Sequence, residues 1–298
     1  MIPSIVILTY NSELTLAETL RSVICLSDDI HVVDSFSTDH TAQIAASYGA
    51  KLTEHAFENY GAQRNWAITS LPLRYPWQLH LDSDERITPE LSDEIAQVRD
   101  EAGVNGHYLP RFLNFLGKPI RHGGMSPTWH MRLFRSGCAR CESRKYDQHF
   151  YVTEGQTRQL TGAMIDDIRM SLSEWTLRHN RWSDAEVEDQ FSRNGHDEIA
   201  RRASGNPVEK KRFWRHLYDR CPLFVRPFAL FFYRYVVRLG FLDGTAGLIF
   251  YVLQTFWFRF LVDSKVFERK LARRTNKHVE QISTPKTACA TSPGARSE

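Results

Sequence analysis

Leu79-His80-Leu81-Asp82-Ser83-Asp84-Glu85 decides how the chain is read. An apolar, β-prone run (Trp77, Leu79, Leu81) ends abruptly in three carboxylates within four positions. Side chains alternate along a strand, so carboxylates at i and i+2 share one side. At a strand end they can turn together toward an open edge. Hard oxygen ligands held that way suit Mg2+ or Mn2+, which stay partly hydrated and share a substrate's phosphates. The carboxyl end of a strand in an open α/β sheet is also where ligands bind. Taken alone, the stretch reads equally well as a strand capped by a solvated acidic turn.

Upstream, residues 2–8 are an apolar run suited to a strand buried on both faces. The polar turn Thr9-Tyr10-Asn11-Ser12-Glu13 follows, and residues 14–24 then carry Leu16, Leu20 and Val23 on one helical face. Residues 30–33 read as a second strand, closed by Asp34-Ser35-Phe36-Ser37-Thr38-Asp39. Residues 41–48 read as a helix with Gly49 at its C-cap, 51–54 as a third strand, and 63–69 as the start of another helix. Strands alternating with helices through short loops predict a parallel sheet covered on both faces. The polar loops after three of these strands would then gather at one edge, where a phosphorylated ligand would lie. Neither Gly-x-Gly-x-x-Gly nor Gly-x-x-x-x-Gly-Lys occurs, which argues against a dinucleotide dehydrogenase and a P-loop enzyme.

Downstream, residues 89–99 read as an amphipathic helix, and residues 107–112 and 131–135 as strands. Between those strands, residues 115–128 hold Gly117, Pro119, Gly123, Gly124 and Pro127, and are expected to form a loop over the site. Residues 171–191 suggest one or two helices, and Asp166-Asp167 reads as a plain acidic turn. Cys138 and Cys141 form a lone C-x-x-C with no second pair at zinc-ribbon spacing, so ordinary thiols are expected. Nothing suggests a disulfide framework, which favours a reducing compartment. The N-terminus reads directly as a strand, so the chain is expected to begin in the cytoplasm.

The 298 residues can hold one large domain, or a domain of common size with an appendage. A formal charge of +3 hides an asymmetry: residues 1–200 carry 19 Lys/Arg against 28 Asp/Glu, and residues 201–274 carry 16 against 5. Two surfaces with different partners are implied. Residues 224–239 place Phe224, Phe228, Phe232, Val236 and Leu239 on one helical face and Arg226, Arg234 and Arg238 on the other. Residues 244–262 are mostly apolar, broken by Gln254 and Arg259, and lead to Lys265, Arg269, Lys270, Arg273 and Arg274. As helices these segments reach about 24 and 28 Å, short of the roughly 30 Å hydrocarbon core. A monotopic element lying on an anionic membrane surface, arginines toward the headgroups, is expected. A single span and a buried helix pair are the alternatives. The basic residues sit on Phe-rich amphipathic segments, so no nucleic-acid partner is expected. The domain reading is therefore 1–209 for the α/β domain, 210–274 for a membrane-associating region, and 275–298 for a disordered Ser/Thr/Pro/Ala-rich tail.

Four ordered motifs now stand together: Thr9-Tyr10-Asn11, Val32-Val33-Asp34-Ser35-Phe36-Ser37-Thr38-Asp39, Gln63-Arg64-Asn65 and Leu81-Asp82-Ser83-Asp84-Glu85. The series resembles the family 2 glycosyltransferases, inverting enzymes with a GT-A fold, over roughly the first 180 residues. Arg132-Leu133-Phe134-Arg135 through Tyr146-Asp147-Gln148-His149-Phe150, and on to the aromatic C-terminal segment, resembles more loosely one branch of that family. That branch holds lipopolysaccharide-core β-glucosyltransferases and related exopolysaccharide enzymes. The resemblance implies that Thr9, Asn11 and Glu13 line the nucleotide site and that Asp34 accepts hydrogen bonds from uracil or ribose. It implies that Arg64 and Asn65 lie near the diphosphate or base, and that Arg132 belongs to the nucleotide-sugar site. Asp82 would contact the ribose or donor sugar and, with Asp84, the Mg2+ or Mn2+ ion. Asp147 matches the general base, where related sequences more often carry Glu, and His149 is its rival.

The implied function is inverting transfer of a hexose, foremost from UDP-glucose, to a lipid-linked or lipopolysaccharide-core saccharide. It would take place at the cytoplasmic face of the inner membrane. The alternatives are a Mg-dependent nucleotidyltransferase acting on sugar phosphates and a non-catalytic, membrane-bound sugar-nucleotide-binding module. The first usually needs a Gly-rich basic loop after the first strand, and residues 9–13 have neither glycine nor Lys/Arg. The second would not need Asp84 together with a downstream base.

Overall fold

Ile5 and Ile7 pack into one hydrophobic layer and Val6 into another, and all three are fully buried. Burial on both faces is what a strand sandwiched between helices requires. The computed structural model describes residues 1–192 and 198–283, and this strand, β1 (Ser4–Thr9), lies at the heart of its sheet. It is followed by α1 (Leu16–Val23), β2 (Ile30–Asp34), α2 (Thr41–Ser47), β3 (Lys51–Glu54), α3 (Tyr60–Ser70), β4 (Trp77–Asp82), β5 (Glu85–Ile87) and α4 (Pro89–Gln97). The strands β6 (Val104–Phe115), β7 (Lys118–Ile120), β8 (Thr128–Arg135), β9 (Ala139–Cys141), β10 (Phe150–Val152), β11 (Gln156–Gln159) and β12 (Met164–Ile168) come next.

The sheet order is β3-β2-β1-β4-β8-β6-β12-β5, with β7 and β11 also paired to β6, and β9 pairs separately with β10. From β3 to β4 all neighbours are parallel, whereas β8 runs antiparallel to both β4 and β6. Helices α1, α2 and α4 cover one face through Leu16, Leu20, Ala45, Leu91 and Ile95. Helix α3 and the β9–β10 ribbon cover the other, with Ile68, Cys141 and Phe150 packed on Tyr108 and Phe134. The fold is therefore α/β, with a sheet that is parallel from β3 to β4 and covered on both faces, as the strand–helix alternation predicts. Asp166-Asp167 is not a turn: both residues lie in β12, buried beside β6 and β5.

The C-terminal part is helical: α5 (Leu172–Ser192), α6 (Pro207–Arg220), α7 (Val225–Phe232), α8 (Gly244–Tyr251) and α9 (Phe258–Ser283). A π turn (Tyr233–Val237) extends α7, and another (Val252–Trp257) joins α8 to α9. The resulting helix, Gly240–Thr275, is long and apolar enough to cross a membrane. It packs against α7 through Phe228, Phe231, Phe256 and Phe260, and against α5 through Val187, Phe258, Val262 and Val266.

Helix α6 crosses the 209/210 boundary and is stitched into the α/β domain, with Val208 in the core and Arg212 buried. Helix α9 continues through Ser283, so residues 275–283 are helical, and the remainder of the expected disordered tail lies outside the described residues.

The apolar face of residues 224–239 is outward, as a membrane-facing helix requires, but two of its arginines are not free for headgroups. Val225, Phe228 and Phe232 are 61, 56 and 58% exposed, while Arg226 is 4% exposed and bound to Asp263 at 2.5 and 2.8 Å. Arg234 donates to the carbonyls of Gly123 and Gly124. The physical reason is pairing: each of these two guanidinium groups finds an internal acceptor, so apolar rings are left outside.

Candidate active site

Parallel pairing sets Thr9 opposite Asp34 and Leu8 opposite Asp82. The carboxyl ends of three adjacent strands thus deliver Thr9, Asp34 and Asp82 to one edge. Thr9 Oγ1 donates to Asp34 Oδ1 at 2.8 Å, and Ser37 donates to Asp34 through its amide and hydroxyl at 2.7 and 2.6 Å. Asp34 is 2% exposed, and these bonds fix the loop after β2. Asn11 accepts from the Thr38 amide at 2.9 Å, and Glu13 accepts from the His40 amide and ring at 3.2 and 2.8 Å. The loops after β1 and β2 therefore form one knitted wall. Tyr10 and Phe36, both exposed aromatics on that wall, were not picked out by the sequence reading. Phe36 and Asn11 adopt φ of +59° and +46°, a conformation unusual for non-glycine residues and held only where the surroundings demand it.

Asp82 receives both Nη2 bonds of Arg64 at 2.9 and 3.0 Å and one from Arg132 at 2.7 Å. Burial alone would raise its pKa, but Arg132 and Arg64 together hold it well below the usual carboxylate range. Arg132 also donates to Glu85 Oε1 at 2.6 Å, and Glu85 Oε2 accepts from the Asp82 amide at 3.0 Å. Arg64 lies over the rings of Tyr60 and Phe150. Asp84 has the opposite environment. Burial, then the charges of Asp166, Asp82 and Glu85, push its carboxyl up to about 8. Across the β5–β12 pairing Asp166 stands opposite Glu85, and Arg111 reaches Asp166 at 3.1 Å. Glu85, Asp166 and Arg111 were not assigned to the site from sequence. Proximity in sequence could have flagged Glu85; nothing local flags the other two.

No group of three His, Cys, Asp or Glu side chains that could hold a metal ion occurs among the described residues. The arrangement still suits a divalent cation of the kind bound by one or two carboxylates and completed by substrate phosphates. Asp84 is a carboxylate destabilised by its anionic neighbours, and a cation beside it would relieve that repulsion.

Asn65, expected near the diphosphate or base, accepts from the Cys141 amide at 2.8 Å and donates to the Cys141 carbonyl at 2.9 Å, which ties α3 to β9. The Cys141 thiol is pushed up to about 11 by burial, an inert setting.

Asp147 and His149 are brought to the same region. Phe150, their neighbour, packs under Arg64 and Arg132, and His130 on β8 lies against the His149 ring. Asp147 has φ of +57°. Lys211 Nζ donates to its Oδ1 at 2.7 Å and Arg212 Nη1 to its Oδ2 at 3.0 Å. Burial would raise this carboxyl; the cations of Lys211 and then Arg212 instead hold it well below the ordinary range. His149 is pushed down to about 3 by burial and by Lys211, so its ring is neutral. Lys211 and Arg212 lie some sixty residues along the chain from Asp147, beyond the reach of any sequence motif.

Residues 4–145 match the model of Glycosyl transferase family 2, and that segment is a domain of this family. An uncharacterised glycosyltransferase of Rickettsia typhi is 37% identical over 92 residues, 31% of each chain, so this chain spans about a third of that relative's length. The lipopolysaccharide core biosynthesis glycosyltransferase LpsC of Rhizobium meliloti is 24% identical over 88% of this chain and 91% of its own. Among solved structures, S. aureus TarS in complex with UDP-GlcNAc aligns over 91% of this chain and 92% of its own, at 15% identity and a TM-score of 0.42.

Proposed function

From the premise that residues 4–145 are a family 2 glycosyltransferase domain, we propose that the protein transfers a hexose, foremost glucose, from a UDP-sugar to a saccharide acceptor with inversion. One observation carries the reading. Asp82 and Asp84, two residues apart at a parallel strand end, are held in opposite states, one ion-paired and one pressed toward neutrality. Asp82, fixed by Arg64 and Arg132, is a rigid acceptor for ribose or sugar hydroxyls. Asp84 holds Mg2+ or Mn2+ together with the donor's diphosphate. The bound cation would supply positive charge to the departing nucleoside diphosphate. Tyr10 and Phe36 offer flat apolar faces to the base, and the loop fixed by Asp34 orients them.

Asp147 takes the proton of the acceptor hydroxyl as that oxygen bonds to the anomeric carbon. Lys211 and Arg212 favour its ionised form, which can accept the proton, though as a weak base until the hydroxyl becomes acidic in the transition state. The acceptor we assign is a lipid-linked or lipopolysaccharide-core saccharide. The LpsC relative is named for lipopolysaccharide core biosynthesis, and the outward phenylalanines of α7 suit the cytoplasmic surface of the inner membrane. The donor test is calorimetric titration of the full chain with UDP-glucose, UDP-galactose and UDP-GlcNAc, each with Mn2+ and with chelator. Tight binding of one UDP-sugar only with Mn2+ is expected; equal binding in chelator would overturn the metal assignment, and no binding of any would overturn the donor class. A nucleotidyltransferase would instead bind UTP with a sugar phosphate.

A further inference from the structure

We propose that Lys211, on α6, is a positioning residue of the transfer reaction, holding Asp147 and His149 as one unit and making Asp147 the group that accepts the proton. The inference rests on the reading of this cluster as the general-base site. Lys211 Nζ lies 2.7 Å from Asp147 Oδ1 and 3.0 Å from His149 Nε2. An ammonium can only donate, so His149 Nε2 accepts and the ring proton sits on Nδ1. That tautomer uses the one lone pair with which His149 could take a proton from a hydroxyl. Asp147, with two oxygens, keeps acceptor capacity after Lys211 and Arg212 have each donated to it. The geometry therefore separates two residues that the sequence leaves as rivals.

Lys211 and Arg212 are not equivalent holders. The Arg212 side chain is 2% exposed and pinned on Glu142, whereas that of Lys211 is 45% exposed. Lys211 is the more accessible of the two holders and lies nearer the acceptor's side. The arriving acceptor hydroxyl donates to a lone pair of Asp147 that Lys211 and Arg212 leave open, while Nζ keeps Oδ1 and His149 Nε2 in place. The hydroxyl oxygen then bonds to the anomeric carbon, its proton passes to Asp147, and the bond from that carbon to the diphosphate oxygen breaks with its electron pair leaving on the diphosphate. Other charged groups face the cluster from every side. Arg212 and Arg215 come from α6, and Glu142 and Tyr146 flank Asp147 along the β9–β10 connection. Arg111 on β6 and His130 on β8 face Lys211. His130, pushed far down by burial and then by Arg111, is neutral. Arg111, Arg212 and Arg215 remain when Lys211 is removed, so its loss should weaken the hold on Asp147 without abolishing it.

The test uses the full chain in detergent micelles, labelled at aspartate 13Cγ and histidine 15N, and followed by NMR against pH. Asp147→Asn identifies the Asp147 signal. In the parent protein that signal should not titrate down to about pH 4, and His149 should be the Nδ1–H tautomer throughout. Lys211→Met should raise the Asp147 midpoint by more than one pH unit, over about tenfold in proton affinity, and release His149 into a mixture of tautomers. Lys211→Arg should restore the midpoint. An unmoved midpoint and tautomer in Lys211→Met would overturn the proposal, whatever that variant's melting temperature. UDP release from UDP-glucose by Asp147→Asn judges the base assignment separately. Undiminished release removes that assignment and this inference with it; lost release with an unmoved Lys211→Met midpoint removes Lys211 alone.

Discussion

Asp84 and Asp82 share a strand end but sit in opposite fields, and the difference can be measured. Because the Asp84 carboxyl is raised to about 8, the folded chain binds its proton more tightly than the unfolded chain does. The metal-free fold should therefore lose stability as pH rises from about 4 to about 8, by about 1–3 kcal/mol from this residue. Thermal melts in chelator should show Asp84→Asn gaining at pH 8 and matching the parent at pH 4. Mn2+ should stabilise the parent at pH 8 and leave Asp84→Asn unmoved. For Asp147, removing the negative charge should cut turnover by about 10²–10⁴-fold while the donor's dissociation constant stays within about twofold, because in the proposed mechanism it acts on the acceptor. Steady-state kinetics beside calorimetry separates the two effects.

At the scale of elements, what the sequence makes legible is what local periodicity controls. The run ending at Thr9 is a strand because its apolar residues are continuous, those ending at Asp34 and Asp82 carry apolar residues broken only by His31 and by Gln78 and His80, and all three end where the polar loops begin. Partners supplied from a distance left no such trace. Asp166 joins the acidic cluster because β12 pairs with β5 and β6, and Lys211 because α6 folds back against the β9–β10 ribbon. The resemblance sets Asn65 near the diphosphate or base, and nothing local announces that its amide also bonds the backbone of Cys141. Arg226 and Arg234 differ in another way: periodicity separates a basic from an apolar face, but not whether a guanidinium meets solvent or an internal partner such as Asp263. A test follows from the Arg226–Asp263 pair, both of whose side chains are nearly inaccessible. Asp263→Ala should destabilise by about 3–5 kcal/mol in urea unfolding, whereas Arg226→Met with Asp263→Leu should come within about 1–2 kcal/mol of the parent.

For the whole molecule, the proposed membrane contact falls to the outward face of α7 and its neighbours. Val225, Phe228 and Phe232 are exposed while Arg226 is internally paired, so apolar insertion should dominate over attraction to headgroups. In vesicle flotation, Phe228→Asp with Phe232→Asp should abolish binding without changing the circular dichroism spectrum. The parent should stay bound at about 0.5 M salt, where surface electrostatics are largely screened. Release of the parent by salt alone would point back to the basic residues of α9. The loop from Gly117 to Pro127 belongs to the same body as these helices. Asp243 accepts from the amides of Arg121 and His122, and Tyr251 donates to the His122 carbonyl at 2.6 Å. A Cβ at Gly123 would fall 2.3 Å from the Tyr251 hydroxyl. The loop is thus not an interchangeable part. Transplanted alone into a related sheet it would lose its anchors, so a working chimaera should need residues 116–127 and 234–251 exchanged together, as one cassette.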